Sequence, residues 1–307
     1  MDEQADFGSH DADKHVSVSP WLQMKVVRAM QHYADLEARI RLWGASRPLT
    51  IEANVTEDRH RLELRLRVHT PPPVLEWSLI LGDCLHALRS ALDACVWELA
   101  HRNGATPPAP RQLALPVCRK RSDWSRARER NLQTVPEVFV DRIEMYQPYH
   151  ADGGPHALAT LSDLDNCDKH RSSITVAARA DQVQQNLRVV MEENASSPPE
   201  VTWHFVDIED NALIGEITYA ERIARVSSQL AAGIEIGIET EHGRQPIGFA
   251  RFLIADVENA LNFILNGPQG KPEADGAEVE DGTEWIPMPF VPSQDGRSMR
   301  FVPEPGN

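Results

Sequence analysis

The sequence predicts an α+β fold: a helical first half that includes a β-hairpin, an antiparallel β meander in the second half, and a closing C-terminal helix. Three observations carry that prediction. Apolar residues recur at helical spacing before Gly44 and again between Val74 and Arg102. Between Leu49 and Val68 the period falls to two, with polar and charged residues at the alternate positions. Beyond Arg171 the chain breaks into short β-rich runs separated by turn residues, then returns to one amphipathic helical stretch.

Residues 1–18 read as disordered, being acidic and without the apolar core of a secretory signal. Ser19-Pro20 supplies an N-cap followed by proline at the first helical position. Trp21, Met24, Val27, Met30, Leu36 and Ile40 then mark a helix that Gly44 stops. Ile51, Ala53 and Val55 alternate with polar neighbours, as do Leu62, Leu64, Leu66 and Val68. The polar stretch 56–60 lies between them, so the pair reads as a hairpin with one wet face. Pro71 to Pro73 end its second strand, and a long helix follows over 74–102, closed by Asn103-Gly104. An irregular segment containing "LALPVC" and "RKRSDWSRARER" leads to helices over 137–146 and 156–167. "SITVAA", "LRVVME", "VTWHFV", "ALIGEITY" and "IEIGIET" are the strands of the predicted meander. The closing helix covers 247–265 and ends at Gly267-Pro268. The organisation that results is a disordered N-terminus (1–18), a helical domain with a β-hairpin (19–171), a β-rich region with its closing helix (172–267), and an acidic linker with a proline-rich tail (268–307).

Of 307 residues, 41% are apolar and 25% charged, an ordinary globular balance, and the formal net charge is −15. Such an acidic chain has no basic excess with which to displace counterions, which argues against broad binding to DNA or to an anionic membrane. The run Arg119–Arg130 is the one local exception. No apolar run is long enough to span a bilayer, and a cytoplasmic location is expected. Cys84, Cys95, Cys118 and Cys167 show no C-x-x-C spacing and read as small buried hydrophobes.

The stretch "LGDCLHALRSALDACVWELA" (81–100) carries the chemistry worth following. Projected on a helix, Leu85, Leu88, Leu92, Val96 and Leu99 fall within roughly an 80° arc. Asp83, His86, Ser90, Asp93, Trp97 and His101 form a second arc, with Arg89 at its edge and Ala87, Ala91 and Ala94 alongside. A plain solvated face would carry Lys and Glu; short Asp, His and Ser beside alanines predict a second helix packed closely over them. Around "LSDLDNCDKHRS" the device repeats, with Asp163, Asp168, His170 and Arg171 at the end of the 156–167 helix. The expectation is that the two helices pack together and pool Asp83, His86, Arg89 and Asp93 with Asp163, Asp168, His170 and Arg171. Of these, His86, Arg89, Asp93, Asp168, His170 and Arg171 are the candidate catalytic residues of a functional or structural cluster.

"GDCLHALRSALD", "IEMYQPYH" and "LSDLDNCDKHRS" together resemble the signature of a widespread bacterial, often actinobacterial, family, over about residues 50–175; that signature comes with no assigned activity. The R-S-A-L-D pattern also resembles the R-x4-H motif of HEPN domains, helical modules of RNA-cleaving toxin and antiviral systems. The resemblance implies that Arg89 positions a scissile phosphate. The motif's histidine position is Ala94 here, so His86 or His170 would have to supply the base.

Three functions follow as expectations. The first is a soluble, non-catalytic binding or regulatory module held by a buried Asp/His/Arg network. The alternatives are a HEPN-like RNA-cleaving enzyme, with Arg89 on phosphate and a histidine moving the proton, and a metal-dependent hydrolase, which no H-x-x-x-H or H-E-x-x-H spacing supports. A protein or RNA partner is expected, a homodimer stays open, and no cofactor is expected.

Overall fold

The computed structural model describes residues 19–151, 156–170, 176–193, 197–204, 206–240, 243–267, 290–292 and 299–301. The expectations for residues 1–18 and for the acidic linker at 268–289 fall outside them. Among the described residues, six α-helices and antiparallel strands make the expected α+β protein. In chain order these are α1 (Pro20–Ala45), β1 (Leu49–Val55), β2 (Arg61–Val68), α2 (Val74–Ala100), α3 (Trp124–Asn131), α4 (Glu137–Met145) and α5 (Ala157–His170). Then come β3 (Val176–Met191), β4 (Glu200–Trp203), β5 (Leu213–Thr218), β6 (Ile223–Thr240), β7 (Gly243–Pro246) and α6 (Phe249–Asn266). A last pair, β8 (Phe290–Pro292) and β9 (Met299–Phe301), is antiparallel.

Two units divide the chain. A helical unit takes 1–29, 87–162 and 253–281, and a sheet-bearing unit takes 30–86, 163–252 and 282–307.

In the sheet-bearing unit the hairpin forms as its alternation predicts. Ile51 pairs with Leu66, and Leu62, Leu64 and Leu66 are fully buried with Ile214, Ile217 and Ile223. The intervening arginines stay on the wet side and meet carboxylates, Arg61 to Glu216 at 2.8 Å and Arg67 to Glu52 at 2.9 Å. Arg59, in the turn, adopts φ +60° and its guanidinium donates to the carbonyls of Ile223 (2.8 Å) and Ala224 (2.7 Å). Those two bonds hold a left-handed residue that is not glycine.

The second-half strands are antiparallel, yet they divide between two sheets. β5 and β4 join the hairpin in the order β1-β2-β5-β4, while β3, β6 and β7 form a separate sheet. Val176–Ala178 of "SITVAA" and Leu187–Met191 of "LRVVME" belong to one long strand, β3, whose middle is polar and whose register shifts between Ala180 and Val183, while Ser173–Thr175 lie outside the described residues. At the start of β3 the buried Ser78 hydroxyl of α2 accepts the Val176 amide at 2.9 Å and donates to Val74 O at 2.7 Å.

In the helical unit, Ser19 caps α1 as predicted, its Oγ accepting the Leu22 amide at 3.2 Å. Leu88, Leu92, Val96 and Leu99 of α2 are buried, and so is the apolar stripe of α6 at Val257, Leu261 and Ile264. The end of α6 is closed from two sides. Arg142 donates to the carbonyls of Ile264 (3.2 Å) and Leu265 (2.8 Å), while Gly267 turns away at φ +78°. A Cβ at Gly267 would lie 2.9 Å from Arg142 Nη2, so glycine serves both the turn and the guanidinium. The basic run, expected to be irregular, is largely helical as α3. Its one buried side chain, Trp124, gives no periodicity to detect.

Candidate functional site

The polar stripe of α2 has two parts, each with its own partners. In the helical unit, Arg89 and Asp93 stand one turn apart and bond directly, Nη2 to Oδ1 at 2.9 Å. Both also reach the backbone of Leu115, which is buried in the "LALPVC" segment. Arg89 Nη2 donates to Leu115 O at 2.6 Å, and Leu115 N donates to Asp93 Oδ1 at 2.9 Å. A segment without regular structure has to find partners for its buried amide and carbonyl, and this ion pair supplies both. The Arg89 side chain is 13% exposed, and its Nη1 is buried without a hydrogen-bond partner. The same segment is tied a second time by buried Gln147, whose amide accepts the Cys118 N–H (2.8 Å) and donates to Pro116 O (3.0 Å).

In the sheet-bearing unit, His86 Nδ1 lies 3.1 Å from Asp165 Oδ1 of α5. A carboxylate only accepts, so Nδ1 carries the hydrogen. The imidazole is 57% exposed while the carboxylate is 4% exposed. A buried acid thus orients a histidine whose other nitrogen is left for solvent.

The expected pool therefore takes a different form among the described residues. His86 does reach α5, but its partner there is Asp165 rather than one of the residues expected in the pool. The expectation of a stripe covered by a close-packed helix is corrected: Asp83, His86 and Trp97 are exposed, and Ser90, Asp93 and His101 are half-buried. Small residues pack only at its flank, at Ala91, Cys84 and Cys95. The side chains of Asp168 and His170, and all of Arg171, lie outside the described residues. Ala94 occupies the position of the R-x4-H histidine, and Ser90 is held by Lys25, Nζ to Oγ at 2.6 Å.

A third cluster, in the helical unit, escaped the sequence reading. Tyr146 Oη donates to Asp256 Oδ1 at 2.9 Å, and the His156 ring stands edge-on to Tyr146 with centroids 6.0 Å apart. Burial raises the Asp256 carboxyl above its ordinary range, raises the Tyr146 phenol and lowers the His156 imidazole, which the nearby Asp256 charge partly offsets. His156 also accepts the Leu158 amide at Nδ1 (3.2 Å), serving as the N-cap of α5. That bond exists only in the neutral ring with hydrogen on Nε2.

The thiols of Cys84 and Cys95 are pushed up to about 12 by burial, and that of Cys118 is raised for the same reason, so none is poised as a nucleophile. Among the described residues no three His, Cys, Asp or Glu side chains gather as a metal-binding group. Among the same residues no helix is long and apolar enough to cross a membrane. Comparison of the chain with protein-family models, curated proteins and solved structures finds no match.

Proposed function

We propose that this protein is a non-catalytic binding module in which the Arg89–Asp93 pair of α2 has a structural role. One observation carries the reading: Arg89 and Asp93 are both engaged by the backbone of Leu115. An arginine that clamps a phosphate in a transition state presents its fork to the substrate. Here one terminal nitrogen holds a buried carbonyl and the other is buried. The pair is better suited to pinning the segment after α2 than to meeting a ligand.

A HEPN-like RNA-cleaving activity is the second reading. His86 favours it, since a buried carboxylate behind an exposed imidazole is an arrangement that moves protons.

End-labelled RNA incubated with wild type and with Arg89→Ala separates the two. The binding reading expects background cleavage from both proteins, together with a lower melting temperature for the variant. Cutting by wild type that Arg89→Ala abolishes would overturn it.

A further inference from the structure

Arg119–Arg130 holds six basic residues against two acidic ones in a chain of net charge −15. The fold displays this run. Lys120 and Arg121 precede α3, Arg126 and Arg130 lie one helical turn apart on it, and all four are exposed. Buried Trp124 fixes the helix from beneath. A further exposed arginine, Arg111, sits in the 110–112 turn, which is tied to the end of α3 by Asn131 Nδ2 donating to Gln112 O at 2.8 Å. Glu137 neutralises Arg128, at 2.7 Å, whereas Lys120, Arg126 and Arg130 have no ion-pair partner among the described residues. Basic residues in the last turn of a helix complement its dipole, which accounts for Arg128 and Arg130. It does not account for Lys120, Arg121, Arg126 or Arg111, which lie before that turn or off the helix.

We infer that the α3 edge is a docking surface for a single-stranded polynucleotide, held through its phosphates. The inference rests on the binding-module reading and names its partner. Of Arg111, Lys120, Arg121, Arg126 and Arg130, four are arginines, whose planar fork matches phosphate oxygens. Arg126 and Arg130 are separated by about 6 Å along the helix, a spacing on the order of that between successive phosphates of an extended strand. The rest of the chain is acidic and repels a long stiff duplex. A flexible single strand can follow one short basic edge and keep its remaining charge away.

Fluorescence anisotropy with a labelled 20-nucleotide single-stranded RNA, titrated over a range of salt concentrations, tests this. Wild type should bind, and Arg126→Ala/Arg130→Ala should bind more weakly, with a log–log salt slope smaller by about 1.4 for two lost contacts. Arg41→Ala/Arg225→Ala, exposed arginines elsewhere, should match wild type. The same sequence as single-stranded DNA tells whether the sugar matters, and binding of either strand in this manner supports the inference. Absence of binding, an unchanged slope in the double variant, or equal binding of polyglutamate (the mark of a site for acidic protein) would overturn it. The same mixtures run on a gel keep the two ideas apart. Cleavage lost in Arg89→Ala rejects the binding-module reading, whereas an intact strand bound without regard to Arg126 and Arg130 rejects only the docking surface.

Discussion

Asp93 shows how one side chain decides the state of its surroundings. Its Oδ1 accepts both the Arg89 guanidinium and the Leu115 amide, so truncation leaves two donors short of partners. Asp93→Ala should destabilise by about 1–3 kcal/mol, whereas Asp93→Asn, which keeps an acceptor oxygen, should lose less; thermal melts of the two variants check this order. His156 gives a pH dependence whose sign follows from its surroundings. Its folded pKa lies below the ordinary 6.5, so on acidification the unfolded chain takes up the proton first. The neutral-ring cap therefore stabilises fully above that value, and its contribution fades as pH falls through the depressed folded value. Asp256, with its raised carboxyl, acts in the opposite sense nearer its own lower range. Melting curves of wild type and His156→Asn between roughly pH 7.5 and 5 isolate the histidine, since asparagine caps a helix without titrating. The wild type should lose more melting temperature over that interval than the variant does. Parallel losses would show that the imidazole is no cap.

At the scale of elements, packing constraints appear where strands approach closely. A Cβ at Gly237 of β6 would stand 2.6 Å from Arg244 Cγ and 2.9 Å from Gln245 O of β7. Gly237→Ala should thus cost about 1–3 kcal/mol by forcing the two strands apart, and a melting temperature equal to wild type would refute this contact. Elements with strong periodicity were legible in the sequence. The stop of α6 at Gly267, the cap at Ser19 and the buried leucines of β2 all follow from local pattern. α3 was not legible because Trp124 is its one buried residue, and β3 was split because its middle is polar. The division of strands between sheets was also hidden. β2 pairs with β5, so Leu62 opposes Ile217, and no local pattern encodes a register between residues so far apart. The site was half legible for the same reason. The stripe singled out His86, Arg89 and Asp93, but their partners Leu115 and Asp165 lie 22 or more residues away. Tyr146 and Asp256, 110 residues apart, carried no shared signal at all.

Across the whole molecule, the acidic net charge of −15 disfavours polyanions in general, and the basic edge at α3 is where the proposed strand would have to dock. The central claim concerns another feature, that Arg89 and Asp93 of α2 pin the segment around Leu115. Hydrogen exchange of the Leu115 amide tests it most directly, because that proton is donated to Asp93 within the Arg89 clamp. The amide should exchange slowly in wild type and roughly 5- to 150-fold faster in Asp93→Ala, the rate equivalent of about 1–3 kcal/mol. A Leu115 amide that exchanges at the same rate in both proteins would contradict the account.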